Sequence, residues 1–260
     1  MSVVWCGLAP HPPIIIETVG GKRRDEVAQT VQSMRAWSSS LLTAQPDHII
    51  VISPHTPRPH HGIGTWMGTR IKGSFAAFGA PATRIELDVD TSFASVFAKR
   101  YRAAIDLGTE PLDHGAMVPL HFVMEAGWDG PTNVLGLPWQ SDGNLDHLAN
   151  TLAESLDPDR RTALIASGDM SHCLTHHAPC GYDPNGALFD QQFSEHLRAF
   201  EFKQAIEMDR TLCEAARQDV VAACHVALQA ISFRCIEPRF YSYEGPFGVG
   251  YCVMRFSRHD

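Results

Sequence analysis

The chain has 260 residues, a formal charge of −8 at neutral pH and 44% hydrophobic content, which suits one α/β domain that buries roughly 75% of its unfolded surface. Its one basic cluster, KRR (22–24), is too short for a nucleic-acid surface, and no apolar run approaches the about 18 residues of a membrane span. Seven cysteines with no CxxC pair, and no leader-like opening, read as reduced thiols in a cytoplasmic protein; Cys173 and Cys180 are the closest pair.

Residues 2–8 (SVVWCGL) are apolar throughout, as a strand covered on both faces would be. Apolar residues at helical spacing, from Val27 to Leu42, predict a helix over about 22–44, and DHIIVIS (47–53) a second buried strand. Strand, helix, strand in this order implies a right-handed parallel crossover. The segments 69–79 and 83–90 have β character and suit an antiparallel excursion. A helix follows over 91–106, capped by Thr91 or Ser92. Strand 132–139, helix 144–156 and strand 161–167 come next, then amphipathic helices over about 186–208 and 211–231 and a last strand over 248–256. The alternation predicts one domain over 1–260, a three-layer α/β/α sandwich around a central mixed sheet.

Three loops share one position in this scheme. APHPP, with His11, SPHTP, with His55, and SGDMSH, with Asp169 and His172, each follow an apolar strand. Ligands of open α/β sheets bind in the crevice outside those strand ends. Prolines beside His11 and His55 fix φ and limit the entropy that each histidine loses on binding. Two imidazoles need a third ligand to hold a divalent ion, and Glu244, in SYEGPFGVGY, offers a carboxylate. Two histidines and one carboxylate leave half of a metal's shell vacant, which is the donor set of non-haem ferrous oxygen chemistry. The three residues are far apart in the sequence, and spacing alone favours satisfied core or loop-capping histidines over a metal triad. His60, His61, His121, His176 and His177 are candidate pocket residues, whereas His48, His147, His196, His225 and His259 suit surface or helix positions. Arg58 is a candidate partner for a substrate carboxylate, and Trp5, Trp66, Trp139 and Phe247 are candidates for an aromatic wall.

APHPP, SPHTP, LDHGAMVPLHF, SGDMSH and YEGPFGVGY, in that order and over almost the whole chain, resemble the class III extradiol ring-cleavage dioxygenases, the family of the protocatechuate 4,5-dioxygenase catalytic subunit. The resemblance implies Fe(II) on His11, His55 and Glu244. It implies His172 as acid/base and His114 as a hydrogen-bonding residue on the substrate side. Asp169 is expected to orient this loop or His172, and Gly115 to permit close backbone approach. The implied substrates are a small aromatic diol and O2. A Memo-like protein without dioxygenase chemistry and a zinc-dependent hydrolase on the same ligands stand as alternatives. The chain has no spare length for a domain over the site, so it acts alone, as a homo-oligomer or with a separate small subunit.

Overall fold

The computed structural model describes residues 3–139 and 144–258; the expectation for His259 lies outside them. The first half contains β1 (Val3–Ala9), α1 (Glu17–Gly20), α2 (Ala28–Thr43), β2 (His48–Ser53), β3 (Ile63–Thr65), β4 (Arg70–Phe75), β5 (Ala80–Asp88), α3 (Thr91–Arg100), β6 (Ala104–Asp106) and α4 (His114–Glu125). The second adds β7 (Thr132–Gly136), α5 (Leu145–Ser155), β8 (Thr162–Ser167), α6 (Pro184–Arg198), α7 (Phe202–Ile206), α8 (Arg210–Ala216), α9 (Val220–Ala230), β9 (Arg239–Glu244) and β10 (Tyr251–Arg258).

Eight strands form one mixed sheet in the order β6-β3-β7-β2-β8-β1-β10-β9, and β4 pairs with β5 apart from it. The inner strands β7, β2, β8 and β1 run parallel. The strands alternate between two cores, as a period of 2 requires. Ile49, Val51, Ala163 and Ile165 join α2 and α4 on one face. Ile50, Ile52, Leu164 and Ala166 join α3, α5, α6 and α9 on the other. Helices therefore cover both faces of the parallel strands, and the expected three-layer sandwich is what the chain forms. Among the described residues no helix is long and apolar enough to cross a membrane.

Several local expectations change. Residues 21–27 wind as a 3-10 helix, and α2 starts only at Ala28. The helix at Thr91 stops at Arg100, and residues 104–106 pair with β3 instead. Its cap is Asp90, which accepts from Phe93 N–H at 3.0 Å, so neither Thr91 nor Ser92 serves. The long helices expected over 186–208 and 211–231 each divide in two, beside the left-handed residues Phe200 and Arg217. His48 is buried rather than at the surface, its Nε2 2.7 Å from Asn133 Oδ1.

Candidate metal centre

The loops that leave β1 and β2 bring two histidines nose to nose. His11 Nε2 and His55 Nε2 lie 3.1 Å apart. The third group at this point is Asp219, at the start of α9. Its Oδ2 is 3.1 Å from His55 Nε2 and 3.5 Å from His11 Nε2. Metal bonds of about 2.1 Å place neighbouring ligand atoms about 3.0–3.4 Å apart, so these three atoms have the spacing of one face of a coordination shell. The donor set fits a divalent ion of the non-haem iron or zinc type. His114 stands beside them: its ring centroid is 4.2 Å from that of His55 and 5.3 Å from that of His11. Ligand nitrogens of His11, His55 and His114 all fall within 4.8 Å of one another.

Glu244 is not part of this face, which corrects the sequence-based expectation. Its Oε1 accepts from Thr30 N–H at 2.7 Å and from Thr30 Oγ1 at 2.5 Å. The reason lies in α2. Its N-cap position, Val27, supplies no side-chain hydrogen bond, and the first turn of a helix leaves orphan N–H groups. Glu244, reaching across from β9, serves as a remote cap. Asp219 shows the converse. As the N-cap of α9 it makes no capping bond. Gln218 Oε1 caps Val221 N–H instead, at 2.9 Å, and the Asp219 carboxylate is left to face the imidazoles. The sequence signal was QD immediately ahead of the apolar VVAACHVAL run, which reads as an ordinary cap.

Hydrogen bonds behind the face set its protonation. Pro119 lies inside α4, and a proline frees the carbonyl four residues before it. That carbonyl, Gly115 O, accepts from Ser167 Oγ at 2.5 Å. The Ser167 hydroxyl, having spent its proton, can only accept from His11 Nδ1, 2.9 Å away. Nδ1 therefore carries hydrogen, and the Nε2 lone pair is directed at the metal position. Gly115 is required here: a Cβ would lie 2.5 Å from Ser53 Oγ and 3.3 Å from His55 Cδ2. Asp113 caps α4 through Ala116 N–H at 3.0 Å and also accepts from Ser53 and Thr56, which ties the His55 loop to the helix that starts with His114.

Asp169 accepts from His11 N–H at 2.8 Å, and its own N–H donates to Asp219 Oδ1 at 2.7 Å. It thus orients both the first histidine and the carboxylate, whereas a hydrogen bond to His172 was the alternative expected. Burial pushes the His11 imidazole down, but Asp169, Asp219 and Asp113 overcome it and hold its pKa up at about 9. Burial likewise opposes ionisation of Asp219, yet His11 and His55 keep it far below the usual carboxylate range. The site is thus built to hold positive charge at Nε2 of His11, as a proton or as a metal ion. His114 is pushed down to about 4 by burial and by the two neighbouring imidazoles, so it is neutral at pH 7.

A cavity of about 340 Å³ opens over this face, lined by His11, His55, His114, Asp169 and His172 with Pro12, Ile14, Phe247 and Tyr251 among its walls. The Nδ1 of His172 is buried and makes no hydrogen bond within the chain. Phe247 is the one expected aromatic that reaches this cavity; Trp5 and Trp66 are core residues. Arg58 donates to Pro54 O and lies over Trp139. His60, His61, His121, His176 and His177 do not line the cavity; His121 pairs with Glu125 and His176 packs on Tyr182.

The family described as the catalytic LigB subunit of aromatic ring-opening dioxygenase matches residues 6–254. Protein CA_C1420 of Clostridium acetobutylicum is 28% identical over 269 aligned positions, which cover 98% of this chain and 58% of that protein. The chain thus spans little more than half the length of that curated relative. Among solved structures, the uncharacterized protein JW3007 from Escherichia coli K12 matches with a TM-score of 0.60 at 16% identity, over 98% of this chain and 100% of the other, a likeness of fold.

Proposed function

The chain belongs to the family of catalytic LigB subunits of aromatic ring-opening dioxygenases, and from that premise we propose that it opens the ring of a small catechol-type diol with O2, using Fe(II). The observation that carries this reading is the triangle of His11 Nε2, His55 Nε2 and Asp219 Oδ2, with edges of 3.1 to 3.5 Å, whose two histidines line a cavity together with His114 and His172. A ferrous ion held by His11, His55 and Asp219 would supply Lewis acidity and electrons for O2.

The chain's own residues then have defined tasks. Ser167 and Asp169 hold His11 in one tautomer and one orientation. His172 takes a hydroxyl proton from the diol and returns it later; its buried Nδ1 is committed to no internal hydrogen bond and is left for that exchange. His114, neutral, hydrogen-bonds a substrate oxygen without adding charge. Pro12, Ile14 and Phe247 give the ring an apolar wall.

The proximity of the three imidazoles of His11, His55 and His114 favours a second reading, a zinc hydrolase. Anaerobic loading with Fe(II), followed by an oxygen-electrode screen of catechols, separates the two. Oxygen uptake with yellow ring-opened product supports the dioxygenase, and activity with Zn(II) without O2 supports the hydrolase. His172→Ala is expected to retain metal and lose about 10²–10⁴ in rate; undiminished turnover would remove His172 from the mechanism.

A further inference from the structure

The loop from β8 to α6 carries His172 and two cysteines that ring opening does not use, Cys173 next to it and Cys180 further along. The chain leaves Cys173, turns, and comes back beside itself. Cys180 N–H donates to His172 O at 3.2 Å, and Asp183 N–H donates to Cys173 O at 3.0 Å. Within the turn, Ala178 N–H bonds Thr175 O and Gly181 N–H bonds Ala178 O, each at 3.0 Å. The return brings the two cysteines close enough to act on one another: burial first, and then the neighbouring Cys180, raises the pKa of the Cys173 thiol. One sulfur is reachable and the other is not: Cys180 is exposed and Cys173 buried. Cys180 also lines an open cleft of about 450 Å³ together with Arg210, Glu214 and Arg217, through which a small oxidant can reach its sulfur.

We propose that Cys173 and Cys180 are a redox pair that closes reversibly to a disulfide, with hydrogen peroxide as the oxidant. The Cys180 thiolate attacks one peroxide oxygen; the O–O bond breaks, an S–O bond forms, and the departing hydroxide is protonated to water. Cys173 sulfur then attacks the Cys180 sulfenic acid; the S–O bond breaks, the S–S bond forms, and a second water leaves. Two thiols have lost two electrons and two protons, and one peroxide has become two waters. A dithiol reductant reverses the bond by exchange. The hydrogen bonds at 172–180 and 173–183 keep the two chain segments adjacent, so the covalent bond of about 2.05 Å forms within the folded loop. The modification cross-links the loop on which His172 stands, and it does not depend on the ring-opening reading.

The test treats the intact protein with peroxide, alkylates the remaining thiols and maps peptides by mass spectrometry. The expected product is a Cys173–Cys180 cross-link, two hydrogens lighter than the thiol form and alkylated only after dithiothreitol. Cys180→Ser is expected to leave Cys173 a thiol at the same peroxide dose. Cys173→Ser is expected to accumulate sulfenic acid at Cys180, which dimedone traps. Should that variant fail to fold, the wild-type map and Cys180→Ser decide the matter. A wild type in which Cys180 proceeds to sulfinic acid while Cys173 stays reduced overturns the proposal. So does a cross-link from Cys180 to Cys213, the other cysteine of the same cleft.

Discussion

Two carboxylates exchange the roles that their sequence contexts suggest. Glu244 sits among aromatic and glycine residues near a strand end and resembles a site residue, yet it completes the first turn of α2. Asp219 resembles a helix cap, yet Gln218 takes that duty and leaves it facing two imidazoles. Substitutions separate the two. Asp219→Asn replaces a charged ligand by a neutral one and is expected to abolish tight metal binding, read as bound metal after gel filtration. Glu244→Ala is expected to bind metal normally and to lose about 1–3 kcal/mol of stability, the cost of a hydrogen bond to a charged group, in urea unfolding. The reverse pattern would return Glu244 to the metal. Ser167→Ala addresses the tautomer of His11. With the acceptor for Nδ1–H gone, metal affinity is expected to fall about 10–100-fold; unchanged affinity would show that Gly115 O and Ser167 do not govern the lone pair.

At the scale of elements, much was legible. The continuous apolar runs of β1, β2 and β8 announced buried parallel strands, and the histidines after β1 and β2 announced the crevice. What escaped was α4, because Pro119 argues against a helix unless another donor takes the freed carbonyl, and Ser167 comes from a distant strand. Asp219 escaped for the same kind of reason: its role depends on which neighbour caps α9. Asp190 of α6 illustrates a further tertiary dependence. It is buried, accepts from Ser171 N–H at 2.8 Å and Tyr243 Oη at 2.7 Å, and joins α6 to the His172 loop and to β9. Burial raises its pKa from 3.8 to about 7 against the pull of both hydrogen bonds. The native carboxyl thus keeps its proton where the unfolded chain has released it. This group's contribution to stability is greatest below pH 4, declines as pH rises from about 4 to 7, and levels off above, a span of ~4 kcal/mol. Asp190→Asn removes the titration. Urea unfolding from pH 4 to 8 is expected to show the variant gaining on the wild type as pH rises, whereas parallel curves would mean that Asp190 is ionised in the native state.

On the scale of the whole molecule, the centre is the place where separately folded parts of the chain are held together. His11 follows β1, His55 follows β2 and Asp219 opens α9, a helix packed on the opposite face of the sheet from α4. Without metal, these groups bind charge by protonation, since His11 stays cationic up to about pH 9 between Asp169 and Asp219. An ion that replaces that proton would bind the folded arrangement and not the unfolded chain, in which the three groups are far apart. At a free concentration one hundred times its Kd, such an ion adds about 2.7 kcal/mol to stability. For a chain of this size that corresponds to a rise of about 5–10 °C in Tm. Fe(II) under anaerobic conditions, or Zn(II) in air, is therefore expected to raise Tm by this amount in the wild type, and a chelator to reverse it. Asp219→Asn should show no rise, and Glu244→Ala should show the full rise from a lower starting Tm. A wild type whose melting ignores both metals would mean that the triangle of His11, His55 and Asp219 is held closed by its own ion pairs and does not serve as a metal site.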